Sequence, residues 1–114
     1  MFASLNDLIG QLWEVETDVY PHGEPFVNAV RSGTMRVELF APRGEDLQQP
    51  HQQDELYIVI KGTATLDLGD DEIRCAGGDV LFVEAEAKHR FVDMSNDFMT
   101  WAIFWGPPGG EVNA

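Results

Sequence analysis

A chain of 114 residues with 20 acidic and 7 basic side chains, net charge −13, has the size of one domain. Its surface repels phosphate backbones and anionic lipid, which makes nucleic acid and membrane poor partners. With 44% hydrophobic and 24% charged residues it has the composition of a soluble globular protein with a buried core, and the lone Cys75 excludes an internal disulfide and fits a reducing, cytoplasmic setting.

The N-terminal residues Met1 to Asp7 lack the basic region and the unbroken apolar stretch of a signal peptide, and no apolar run reaches the length of a membrane span. Residues 4–13 carry Leu5, Leu8, Ile9, Leu12 and Trp13 at helical spacing, with Ser4 as N-cap and Asp7 in the first turn, which predicts a short helix within an N-terminal segment 1–15. From residue 24 the signals change to those of strands. Phe26 to Val30 precede a Ser32-Gly33 turn, and Met35 to Leu39 alternate apolar with polar residues. Leu56 to Ile60, Thr63 to Leu68, Ile73 to Cys75, Val80 to Val83, His89 to Val92 and Phe98 to Trp105 follow, separated by glycine-rich turns. Eight short strands at this spacing predict an all-β antiparallel sandwich or barrel over residues 24–105 of a single domain 1–114. The Gly106-Pro107-Pro108-Gly109-Gly110 stretch then opens a loose tail, 106–114.

Chemistry concentrates in two segments. Gln49-Pro50-His51-Gln52-Gln53-Asp54-Glu55 places an imidazole and a carboxylate four residues apart, ahead of an apolar run and Gly62. Gly78-Asp79-Val80-Leu81-Phe82-Val83 leads to a second imidazole, His89. Two His and one Glu, if the fold unites them, bind a divalent transition metal and leave coordination positions open.

These segments resemble the two motifs of the cupin superfamily, in particular its small single-domain members. The first motif reads Gly, a short spacer, His-x-His, three or four residues, Glu, six residues, Gly, and Gly44, Gln49, His51, Glu55 and Gly62 take those places. The second reads Gly, five residues, Pro-x-Gly, two residues, His, three residues, Asn, matched by Gly78, Glu84, Glu86, His89 and Asp93. The resemblance implies a jelly-roll β-barrel with a metal held by His51, Glu55 and His89. Gln49, standing where the family has its first His, is a fourth ligand or a donor to substrate. Iron, manganese, nickel and zinc all suit this donor set. Glu84 and Glu86 replace a stiffening Pro and a permissive Gly, and are expected to be solvated loop carboxylates.

Tyr57 and Phe91 share strand parity with Glu55 and His89, so they face either the pocket or the core. His22 reads as a surface residue, and Cys75 as a small buried hydrophobe. Trp101 and Trp105 read as core or interface residues. The functional expectation is a metal-dependent protein acting on a small organic molecule, as a dioxygenase, isomerase or related lyase. The alternative is a non-catalytic barrel that binds or senses a small molecule, with or without metal. The apolar helix face and the C-terminal tryptophans, together with the habit of small cupins, lead to the expectation of a homodimer.

Overall fold

The computed structural model of the chain describes residues 1–112. One short helix, α1 (Leu5–Ile9), precedes eight strands: β1 (Phe26–Ser32), β2 (Met35–Phe40), β3 (Asp54–Lys61), β4 (Thr63–Asp67), β5 (Glu72–Ala76), β6 (Val80–Val83), β7 (Arg90–Val92) and β8 (Met99–Trp105). Five of them form an antiparallel sheet in the order β1-β2-β8-β3-β6, and three form a second in the order β5-β4-β7. No helix among the described residues is long and apolar enough to cross a membrane.

The core lies between the sheets. Tyr57, Leu66, Phe91 and Phe98 are each at most 1% exposed. The Phe91 ring sits 4.8 Å, centroid to centroid, from both Tyr57 and Phe98. Buried side chains of this size contribute about 1.5–3 kcal/mol each. The chain can pass directly from β3 into β4 because Gly62 adopts φ 79°, and a Cβ there would lie 2.6 Å from Phe98 Cα. Only glycine meets both demands.

The helix is shorter than its apolar spacing predicts. Ser4 holds the cap position without a side-chain bond, Gly10 ends the α-helix, and a turn carries the chain to Trp13 at φ 61°. Leu8 and Leu12 are buried against Leu39, Ala41 and Met99, so the helix folds onto the outer surface of the five-stranded sheet. Trp13 leaves that apolar face. It is 36% exposed, and the Arg43 guanidinium lies 5.1 Å from its ring centroid.

The start of the C-terminal segment is anchored rather than loose. The Gly109 N–H donates to the Gln52 carbonyl at 2.7 Å, and the Glu111 N–H to Asp54 Oδ2 at 3.1 Å. Asn113 and Ala114, the end of the expected tail, lie outside the described residues.

Candidate metal centre

Strand β3 carries the centre. Its inward positions are Glu55, Tyr57 and Val59, each at most 2% exposed, flanked by β8 on one side and β6 on the other. Glu55 is therefore a carboxylate fixed in the middle of a sheet. His51 reaches it from the loop before β3, and His89 from the residue before β7. One donor atom from each of His51, Glu55 and His89 lies within 4.8 Å of the others. His89 Nε2 is 2.9 Å and His51 Nε2 4.0 Å from Glu55 Oε1.

The chemistry of the donor set fits a divalent ion. His89 Nδ1 lies 2.8 Å from the Ala87 carbonyl oxygen, which can only accept, so Nδ1 carries a proton and Nε2 is the nitrogen left to ligate. Donors each about 2.1 Å from one ion stand at most about 4.2 Å apart, so the widest pair must close slightly. His51, with 29% of its side chain exposed, has the freedom to do so, whereas Glu55 and His89 are enclosed.

Burial lowers the His51 pKa, and the nearby Glu55 only partly opposes this, so His51 is held in the neutral form that ligands require. Burial pushes His89 the same way. Its hydrogen bonds to Glu55 and to the Ala87 carbonyl, with the Glu55 charge, outweigh that and raise it. Burial drives the Tyr57 hydroxyl well above its ordinary value, and it stays a phenol.

Gln49 is exposed and forms no side-chain hydrogen bond among the described residues. Its neighbour Gln48 occupies the inner position. Gln48 Oε1 accepts from the Tyr57 hydroxyl at 3.0 Å and lies 3.3 Å from His51 Nε2. Gln48 is itself held by Asp46, buried to 6% exposure, which accepts from the Gln48 backbone N–H, the Gln48 amide and the Phe91 N–H. Sequence reasoning missed both residues. Asp46 accepting from a backbone N–H two residues on is a turn pattern that sequence can suggest. Nothing local distinguishes Gln48 from Gln49.

Of the two aromatic candidates, Tyr57 places its hydroxyl 3.1 Å from His89 Nε2, while Phe91 packs in the core. His22, Glu84 and Glu86 are exposed, and Cys75 is buried at 2% exposure.

A cavity of about 340 Å³ opens beside His51 and Glu55, walled by Phe26, Phe40, Leu47, Ala102 and Phe104 and bordered by Tyr20, Gln48 and Gln49. A further carboxylate, Glu38 of β2, also lines it. The alternation of β2 identified a strand but not that its polar face turns inward. Burial raises the Glu38 pKa, with Arg36 opposing.

A family model described as cupin domain matches residues 30–105. An uncharacterized protein of Streptomyces coelicolor is 32% identical over 100 residues, which are 86% of this chain and 94% of that protein. Among solved structures, KdgF from Halomonas sp. is similar with a TM-score of 0.68 at 15% identity, over 92% of each chain. A cupin-2 domain containing protein from Shewanella frigidimarina gives a TM-score of 0.65 at 18% identity, again over 92% of each chain. At such identities the structural likeness speaks for the fold.

Proposed function

The chain belongs to the cupin family, and from that premise we propose that it holds a divalent transition metal through His51, Glu55 and His89 and acts on a small organic molecule in the adjoining cavity. The observation that carries this reading is the convergence of three donor atoms within 4.8 Å, two of them on enclosed side chains, beside a cavity large enough for a small ligand. A bound metal would supply Lewis acidity or, as iron, oxygen activation. The chain's own residues do the rest. Tyr57 and Gln48 provide a phenol and an amide beside the ligands, and Asp46 keeps the amide oriented. Phe40 and Phe104 exclude water from the apolar side of the cavity. The reaction falls among those expected of the fold: dioxygenation, isomerisation or a related elimination.

One observation favours a second reading, a barrel that binds small molecules without metal. His89, Glu55, Tyr57 and Gln48 already satisfy one another by hydrogen bonds. We also propose that two copies pair through the outer face of the five-stranded sheet.

The deciding experiment is metal analysis of protein purified without chelator and then supplemented with iron, manganese, nickel or zinc. A substantial fraction of one metal per chain is expected, and a His51→Ala/His89→Ala variant should lose most of it while remaining folded. A wild-type protein that takes up none of the four would leave the metal-free barrel as the function.

A further inference from the structure

Glu38 is a carboxylate in the cavity for which the metal centre has no use. It stands opposite Ala102 of β8, and Ala102 stands opposite Tyr57 of β3. The backbones of Glu38 and Tyr57 are therefore roughly 10 Å apart, two strand spacings, with only a methyl group between them. That small side chain leaves open the space that joins Glu38 to the His51–Glu55 end.

Each carboxylate of the cavity has a partner on its outer side, Arg36 Nε at 3.0 Å from Glu38 Oε1 and His89 Nε2 at 2.9 Å from Glu55 Oε1. Glu38 and Glu55 both line it, while no Lys or Arg does among the described residues. Arg36 is the counter-charge of Glu38, and it pairs with the carboxylate from outside the cavity lining. Its guanidinium stacks 4.4 Å from the Phe104 ring centroid, and it lines a separate cleft. Its Nε comes 3.0 Å from Glu38 Oε1 without the alignment of a hydrogen bond. Glu38 keeps acceptor capacity for something else in the cavity.

We propose that Glu38 is the recognition group for the substrate's far end. The ligand would have an apolar, ring-sized body against Phe26, Phe40 and Phe104 and a hydrogen-bond-donating head, best a primary ammonium, on the Glu38 carboxylate. A carboxylate or phosphate at that end has no hydrogen to give the free Glu38 oxygen, leaves it unsatisfied and binds more weakly. The proposal rests on the cavity being the substrate site and adds the class of substrate.

The test uses three isosteric probes, 2-phenylethylamine, 2-phenylethanol and phenylacetate. Each is titrated into the full chain, chelator-treated and zinc-supplemented, and followed by amide NMR shifts. In chelator-treated protein the amine should bind about tenfold or more tighter than phenylacetate, with shifts centred on Glu38, Phe40 and Phe104. Glu38→Gln should remove about tenfold of the amine affinity and leave phenylethanol within about threefold. If that variant does not fold, contacts between the amine's nitrogen-bearing methylene and the Glu38 γ protons in the wild type decide the matter. Equal binding of phenylacetate, amine binding untouched by Glu38→Gln, or no binding of any probe would overturn the proposal. Amine preference in a protein that takes up no zinc would defeat the metal reading alone, and zinc uptake without the preference would defeat this inference alone.

Discussion

His89 Nε2 lies 2.9 Å from Oε1 of Glu55, a residue 34 positions earlier in the chain, while the opposite ring nitrogen is bound to the Ala87 carbonyl. Both ring nitrogens therefore face acceptors, and the metal-free site favours an imidazolium against a carboxylate. A metal ion must displace that proton, so protonation and metal binding compete for one atom.

The competition has a sign and a window. The folded His89 pKa lies above its ordinary value of 6.5. Its stabilising contribution is thus complete below about pH 6.5 and is lost as pH rises through the folded value. His51, shifted downward, acts below that window. In the presence of chelator, the difference in urea midpoint between wild type and His89→Gln should shrink from pH 6 to pH 9. Zinc affinity should increase over the same range. A midpoint difference that grows with pH would refute the imidazolium assignment.

Gln48, rather than Gln49, should govern the metal's surroundings. Removing a group that orients a ligand typically costs about 10–100-fold in metal affinity. Gln48→Ala is expected to weaken zinc binding by about tenfold in chelator competition, and Gln49→Ala by less than about threefold. Gln49→His should tighten binding only if the exposed loop position can turn inward. The reverse order for the two alanine variants would place residue 49 at the centre.

Glu86 sits at φ 68° where the family motif has glycine. Its side chain is exposed, and its N–H donates to the His51 carbonyl at 2.6 Å. A left-handed conformation costs a non-glycine residue about 1–2 kcal/mol, partly offset by glycine's greater freedom when unfolded. Glu86→Gly should stabilise the fold by up to about 1 kcal/mol in urea denaturation, and a destabilised variant would show that the Glu86 side chain makes a contribution of its own.

The outer face of the larger sheet carries two apolar rows, Val37–Ile103–Leu56–Phe82 and Leu39–Trp101–Ile58–Val80. The helix covers Leu39, but Val80 and Phe82 remain 62% and 56% exposed. These rows contain no charge, so two copies of a strongly acidic chain can meet there without bringing like charges into direct contact. Size exclusion with light scattering at micromolar concentration should give a dimer mass, and Phe82→Glu should give a monomer. A monomeric wild type would mean that the folded-back helix suffices.

The eight strands and their turns were legible in the sequence because strand periodicity and glycine turns act over a few residues. The spacing of His51, Glu55 and His89 in the two motifs was legible for the same reason. What needed the tertiary structure was direction. Alternation makes β2 a strand, but only its packing between β1 and β8 turns Glu38 toward the cavity and Leu39 toward the helix. Gln48 and Gln49 are chemically identical neighbours, and the Asp46 carboxylate selects the first by local hydrogen bonds while the Phe91 N–H, 45 positions on, fixes Asp46 in the fold. The helix ends at Gly10, and Trp13 leaves its apolar face for contacts the fold alone supplies, its backbone N–H donating to the Glu24 carbonyl and its ring lying under Arg43, thirty positions away. Sequence pattern determines which side chains share a face, whereas the free energy of burying one face rather than the other belongs to the whole fold.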